Sequence, residues 1–274
     1  MLKNYFITAL RNMRRNKAYS IINISGLSVG LSLFIILIAF VNYELSFENF
    51  QEKKDRIYRA VIKVKKTETN MLKAPMAMGS HIDDWIKEVP EVENFLRLDY
   101  TGNDLYYQGA SFTHNRGYYT DPVFFDFFSF DLLYGEKKSA FKANSIILTE
   151  KLSHAVFGNE NPVGKMIDWG NKALEVTAVI KKIPENTHLQ FDYLVPFSVL
   201  DDPEAYLEGR GPSVYCYFLF KKGVSYEEVS CKVAQFIEDK TNEMMKAYNF
   251  KVDHWLQSLD DIHLHSYELQ YTLA

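Results

Sequence analysis

Ala18-Tyr-Ser-Ile-Ile-Asn-Ile-Ser-Gly-Leu-Ser-Val-Gly-Leu-Ser-Leu-Phe-Ile-Ile-Leu-Ile-Ala-Phe-Val-Asn-Tyr43 is a run of 26 residues without a formal charge. As a helix, Ile21 to Tyr43 measures roughly 34 Å at about 1.5 Å per residue, enough to cross a hydrocarbon layer of about 30 Å. Lys3, Arg11, Arg14, Arg15 and Lys17 precede it with no acidic residue among them, whereas Glu44, Glu48 and Glu52 follow. Positive flanks stay on the cytoplasmic side of a membrane helix. Arg11, Arg14, Arg15 and Lys17 are therefore the expected topology determinants: the N-terminus stays in the cytoplasm and everything after Tyr43 is exported.

A cleavable leader is the competing reading, because the most apolar part, Leu31–Val41, has leader length. Cleavage needs small residues at alternate positions, and Ala39-Phe-Val-Asn-Tyr-Glu44 offers no such pattern. An uncleaved anchor fits better. Upstream, Leu2, Phe6, Leu10 and Met13 recur at spacings of three and four, as expected of a helix lying on the inner membrane surface. Residues 1–20 are thus read as a basic amphipathic cytoplasmic segment and 21–43 as the span. Within it, Gly26-Leu-Ser-Val-Gly30 matches the G-x-S-x-G elbow of hydrolases, but an elbow needs a strand-turn-helix setting that an apolar helix cannot provide. As G-x-x-x-G it puts Gly26 and Gly30 on one helix face, where another membrane helix could approach closely.

The whole chain has 274 residues, 47% hydrophobic, 24% charged and 15% aromatic, which excludes a disordered chain. Its net charge of −4 conceals a division: the first 43 residues carry +5, so residues 44–274 carry −9. Such an acidic exported part gives no electrostatic ground for nucleic acid as a partner. Two cysteines are too few to staple a small scaffold, so the fold must rest on its own core.

Past the span, a β-α-β pattern occurs twice. Arg56–Val64 reads as a strand, Met76–Val89 as a helix ending at Pro90, and Val92–Leu98 as a strand. Val214–Phe220 reads as a strand closed by the turn Lys221-Lys-Gly223. Ser225 with Glu228 forms a capping box for a helix running to about Tyr248, and Phe250–Leu259 is the next strand. Between the two units, about 100–205, lies a region richer in strands and turns. There Asp121–Phe130 reads as a short aromatic helix running into a strand, Asn144–Leu148 and Lys172–Lys182 as strands, and Thr149–Phe157 as a helix capped by Thr149. The expected fold class is α+β: one transmembrane helix, then a two-part domain over 44–274 in which the β-rich part (about 100–205) is inserted into a split β-α-β part (about 50–99 and 206–265).

Catalytic motifs are scarce. Gly158-Asn-Glu-Asn-Pro-Val-Gly-Lys-Met166 has one residue too many for a phosphate loop, and Met166 stands where a hydroxyl is needed. It reads as a turn. His263, His265 and His254 could supply three imidazoles to a metal if 263–265 were a strand, but exposed histidines without an acidic partner are the plainer reading. Cys216 and Cys231 could pair in an oxidising compartment, against the alternative of two buried free thiols. The Phe124–Phe130 cluster could hold a greasy ligand, although such clusters more often form core. No catalytic, cofactor or metal residue is assigned.

Nine segments in order carry a resemblance. They are Ala9–Lys17 with Asn23–Gly30, Phe50-Gln-Glu-Lys-Lys-Asp-Arg-Ile-Tyr-Arg59, Val89–Val92, Phe124–Phe130 and Ser145–Glu150. Phe157–Lys165, Val176–Ile180, Ile183-Pro-Glu-Asn-Thr-His188 and Leu259-Asp-Asp-Ile-His-Leu264 complete the series. With them the chain resembles, over nearly its whole length, the MacB/FtsX-like permease subunits of ABC transporters, in their Bacteroidetes-type branch. The resemblance implies an inner-membrane protein whose periplasmic core domain has a porter-like part split by a β-rich insert. It implies no enzymatic activity in the chain itself. Partners would be a separate cytoplasmic ATPase, a second permease subunit, membrane lipid and a periplasmic adaptor or cargo, with export or mechanotransmission as the task. Such permeases continue past the position of Leu264 into further membrane helices, so the resemblance implies the N-terminal portion of one. A stand-alone anchored binding or sensor module is the alternative.

Overall fold

Asn16, with a non-helical backbone (φ −109°, ψ 59°), breaks the N-terminal region into helices α1 (Leu2–Arg15) and α2 (Lys17–Glu44). The computed structural model describes residues 2–65, 71–246 and 251–270. Its chain divides into two compact units, Met1–Ser46 and Phe47–Ala274. In the first unit, α1 has no acid in its first turn and Arg14 and Arg15 in its last, where cations oppose the negative end of the helix dipole. Helix α2 has 28 residues, none of them buried, and is long and apolar enough to cross a membrane. Apolar side chains such as Ile22, Leu27, Leu33 and Ile36 are exposed along it, so its apolar surface is uncovered.

The second unit begins with β1 (Ile57–Lys65), β2 (Met71–Ala74), α3 (Ile82–Trp85) and β3 (Val92–Thr101). There follow β4 (Leu105–Tyr107), β5 (Ala110–Phe112), β6 (Gly117–Thr120), α4 (Phe124–Phe127), β7 (Leu132–Tyr134), β8 (Ser145–Thr149) and α5 (Glu150–Phe157). The remainder is β9 (Met166–Trp169), β10 (Lys172–Ile180), β11 (Tyr193–Pro196), α6 (Pro203–Arg210), β12 (Tyr215–Phe220), α7 (Tyr226–Met245), β13 (Val252–Ser258) and α8 (Asp261–His265). The strands form one sheet in the order β13-β1-β12-β3-β6-β11-β8-β10-β9-β4-β5, with β2 on β1 and β7 on β10. Strands β1, β3, β12 and β13 make up one end, those of residues 105–196 the other, and the β3–β6 pair joins them. The protein is therefore α+β, with one apolar helix ahead of a sheet-rich domain.

Strand β12 shows why this sheet is central. All six of its residues are buried, and they alternate between two apolar layers. Cys216, Phe218 and Phe220 enter a layer with Val229, Val233 and Ile237 of α7, Ile82 of α3 and Leu207 of α6. Tyr215, Tyr217 and Leu219 enter the opposite layer with Leu96, Leu98, Phe124, Phe127, Phe128, Phe130 and Phe191. A strand covered on both faces reads as a continuous apolar run, as Tyr-Cys-Tyr-Phe-Leu-Phe does. Gly117 is glycine because a Cβ there would lie 2.0 Å from the Tyr193 ring.

The expected element boundaries are corrected in places. Of Met76–Val89, only Ile82–Glu88 is helical. Ala77 instead bridges Val214 in extended backbone, and His81 takes a left-handed conformation at φ 59° just before the helix. Gly79 sits so close to Val214 that a Cβ would be 2.8 Å from it, so apolar spacing here reflects close packing of irregular backbone. Phe128–Phe130 is not a strand; Phe128 and Phe130 fill the second layer, and the strand that follows α4, β7, begins only at Leu132. Thr149 caps α5, its Oγ1 accepting from Leu152 N at 3.4 Å, but Ser225 at the start of α7 makes no side-chain cap bond. The helix end near Tyr248 and the strand start at Phe250 lie outside the described residues.

Candidate functional site

The residues singled out in the first unit are all exposed. Arg11, Arg14, Arg15 and Lys17 line the end of α1 and the start of α2. At Gly26 and Gly30 a Cβ would meet nothing within 4 Å, so that helix face is open to close approach.

The second unit starts with a strap, residues 47–54, that grips three distant stretches of chain. The Phe47 ring stacks on His263. Glu48 N donates to Asn186 O at 3.0 Å. Ser129 N donates to Gln51 Oε1 at 2.7 Å, and Glu52 N donates to Ser129 Oγ at 3.0 Å. Lys53 Nζ donates to Asp126 O at 2.5 Å, and Lys54 Nζ meets Asp260 at 2.9 Å. Segments 50–59, 124–130, 183–188 and 259–264, dispersed along the sequence, thus meet at one place.

At the centre of this junction is Glu48, 1% exposed and held at φ 58°. Its Oε1 accepts from His188 N at 2.6 Å and from Nδ1 of the same ring at 2.7 Å, and Thr187 Oγ1 donates at 2.9 Å. Burial alone would raise the carboxyl, but the His188 imidazole, the His188 N–H and the Thr187 hydroxyl outweigh it and hold Glu48 below its ordinary value. The other ring nitrogen, Nε2, lies 2.8 Å from the Tyr217 hydroxyl. The oxygen of that hydroxyl also accepts from Arg59. Arg59, 1% exposed, gives Nη2 to Gln257 Oε1 at 2.8 Å and to Ser266 Oγ at 3.1 Å. Burial pushes the Arg59 guanidinium down, and contact with Tyr217 resists it. The result is a relay, Glu48–His188–Tyr217–Arg59, with opposite charges at its two ends. Its four residues are almost wholly enclosed, so the relay can tie chain segments together but presents no group to a substrate.

The other face of the sheet carries a different network. Arg97 forks onto Asp121, Nε to Oδ2 at 3.0 Å and Nη2 to Oδ1 at 2.7 Å, while Nη1 donates to Gly79 O at 3.0 Å. Two residues on, Asp99 takes Arg210 Nε at 2.7 Å and the Tyr206 hydroxyl at 2.7 Å. Cys216 is buried beside them, and burial pushes its thiol up to about 12.

The weaker chemical suggestions resolve as follows. The loop at Gly158–Met166 is a turn from α5 to β9, and Lys165 pairs with Glu160 and lies 5.4 Å over the Phe157 ring. His263 and His265 lie on helix α8, not on a strand; Ser258 Oγ, bonded to Asp261, starts a helix there. Two residues apart on a helix they diverge, and His254 is buried in β13. Among the described residues no group of three or more His, Cys, Asp or Glu is placed to hold a metal. Cys216 and Cys231 are free, and Cys231 is exposed rather than buried. The Phe124–Phe130 rings form core. Sequence reasoning missed Glu48, His188 and Tyr217; the available signal was that the family-like segments 50–59 and 183–188 each hold a residue of the relay.

A family model of the MacB-like periplasmic core domain matches residues 20–236, which takes in nearly all of α2 and the sheet domain as far as the middle of α7. No curated protein matches the chain. Among solved structures, a domain of a protein described as a permease from Porphyromonas gingivalis is similar, with a TM-score of 0.60 at 17% identity over 76% of this chain and 91% of that one. The periplasmic region of MacB from Actinobacillus actinomycetemcomitans is similar with a TM-score of 0.51 at 15% identity, over 79% of this chain and 97% of that one. At such identities the likeness is one of fold.

Proposed function

Because the chain belongs to the MacB-like periplasmic core domain family, we propose that it acts as a permease subunit of an ABC transporter, anchored in the bacterial inner membrane with residues 44–274 outside it. One observation carries the reading: a single continuous match, residues 20–236, joins an apolar helix with no buried residue to a two-layered sheet domain. The basic flank Arg11, Arg14, Arg15 and Lys17 holds the N-terminus in the cytoplasm. There a separate ATPase hydrolyses ATP. The open face at Gly26 and Gly30 lets a membrane helix of a second subunit pack closely in the lipid. The chain's own task is mechanical. Movement that reaches Phe47 passes through the strap to residues 126–129, 186–188 and 260–263 together, so the sheet domain is displaced as one body against a periplasmic adaptor or cargo.

The exposed thiol of Cys231 is a native reporter of this topology, since Cys216 is buried. A membrane-impermeant maleimide should label intact spheroplasts at Cys231, and Cys231→Ser should abolish labelling. Labelling only after permeabilisation overturns the outward assignment. Retention of the cytoplasmic ATPase on the purified membrane-embedded chain is the second expectation, and its absence from every detergent extract overturns the transporter reading.

A further inference from the structure

Helix α7 is held on the sheet in two different ways along its length. Its first three turns bury Val229, Val233, Ala234 and Ile237. In the last two turns, Glu238–Met245, the buried side chain is Thr241, whose hydroxyl has no partner among the described residues. The hold there is polar. Asn242 brackets Val252 of β13, accepting from its N and donating to its O, both at 2.9 Å, and Glu238 Oε2 accepts from His254 N at 3.2 Å. Facing these turns is His254, 8% exposed and opposite Ile62 of β1. Neither of its ring nitrogens has a partner among the described residues. A dry imidazole with both nitrogens idle is a poor filler compared with an apolar ring.

Asp253 on the strand of His254 is engaged with Lys63 of β1 at 3.8 Å, and Glu238 of α7 is turned to the backbone N–H of His254. Neither is hydrogen-bonded to the ring, so an imidazolium formed there has no bonded counter-charge.

We propose that acid releases the last two turns of α7 from the sheet: His254 accepts a proton only where water reaches it, so protonation and local opening occur together. The apolar anchors Val229, Val233 and Ile237 keep the rest of the helix in place. Burial pushes His254 down to about 4 from its ordinary 6.5, with Asp253 opposing. The closed form thus excludes a proton that the opened form accepts. Opening is flat above pH 6.5, rises by up to about tenfold per pH unit below it, and levels off where the closed form itself titrates. Opening also widens an apolar groove of about 490 Å³ that Ile62, Val64, Leu72, Ala74 and Val252 line with Met245. The switch rests on this interface alone and not on the transporter reading.

Hydrogen exchange on the full chain in micelles, followed from pH 7.5 to 4.5 and corrected for intrinsic exchange, tests it. Protection of residues 238–245 should fall by up to about tenfold per pH unit below 6.5, while that of 229–237 holds. His254→Phe should flatten the profile, and His254→Leu provides the same test if the larger ring does not fit. A flat wild-type profile, an equal fall over 229–237, or a slope that survives both substitutions overturns the proposal.

Discussion

The two faces of the sheet solve the same problem, a buried arginine, in opposite ways. Arg97 meets its counter-charge directly, in a bidentate pair with Asp121 that also takes the Arg97 N–H. Arg59 has no carboxylate within ion-pair distance among the described residues; its nearest link to one runs through Tyr217 and His188 to Glu48. The direct pair fixes β3 to the residue that follows β6, and Arg97 reaches Gly79 and Asp83 besides. A relay is longer and weaker per link, but it makes β1, β12, the 183–188 loop and the strap depend on one another. The difference is one of reach: the first network holds β3 in place, and the second ties the strap to the sheet.

The largest effect should come from splitting the direct pair. Asp121→Ala removes the bidentate partner of a buried Arg97 and leaves it the half-exposed Asp83 at 3.5 Å and Gly79 O, at a cost of about 3 kcal/mol in unfolding free energy. Arg97→Met added to it should recover most of that loss, because an apolar pair of similar volume is tolerated there. If the double variant is no more stable than Asp121→Ala, the two faces do not differ in the way described.

Glu48→Ala should cost less, about 2–3 kcal/mol, as His188 and Thr187 lose a charged acceptor. Adding Arg59→Met should restore only a part of that loss, since the two ends do not touch and are coupled only through Tyr217 and His188. Chemical denaturation of six variants, the two single changes and the double on each face, closes both cycles side by side. Recovery as full as on the other face would reduce the relay to a long ion pair.

Acid sharpens the contrast further. Glu48 is held below its ordinary 4.5 in the folded protein, so its contribution is complete above that value and is lost as pH falls through the folded value, where the unfolded chain has already bound the proton. The stability difference between wild type and Glu48→Gln should therefore shrink below pH 4.5. A difference that stays constant down to pH 3 would show that Glu48 is not held as a carboxylate.

How much of this was legible beforehand depended on whether the signal was local. The apolar helix declared itself in 26 uncharged residues, and β12 in six consecutive apolar or aromatic ones. Thr149 reads as a cap in the sequence and is one in the structure, because capping is decided within three residues. Glu48 and His188 could not be read: one is a glutamate soon after a membrane helix, the other a histidine in a turn, and 140 positions separate them. Met76–Val89 misleads because the buried Met78, Ile82, Trp85 and Val89 fit helical spacing, while the backbone at 77–79 is shaped by its close approach to Val214. His263 and His265 misled likewise, through a strand assumed where Asp261 begins a helix.

The smallest effects should separate two neighbours on one strand. Cys216 and Tyr217 are adjacent on β12 and point to opposite faces. Tyr217→Phe deletes one oxygen, yet that oxygen is the middle link of the relay, and its loss leaves His188 Nε2 and an Arg59 donor without their partner in a closed site. The cost should be about 1–2 kcal/mol, and the coupling between Glu48 and Arg59 should vanish with it. Cys216→Ala deletes a sulfur whose hydrogen bond is a long one, 3.6 Å to Met78 O. Its cost should be about 1 kcal/mol, from the small void alone, and the Arg97–Asp121 coupling should not change, because that pair closes on itself. Denaturation of both variants, each combined with the cycle on its own face, distinguishes a coupling carried by a mediator from one carried by direct contact. Coupling that survives Tyr217→Phe would mean that Glu48 and Arg59 communicate by another route.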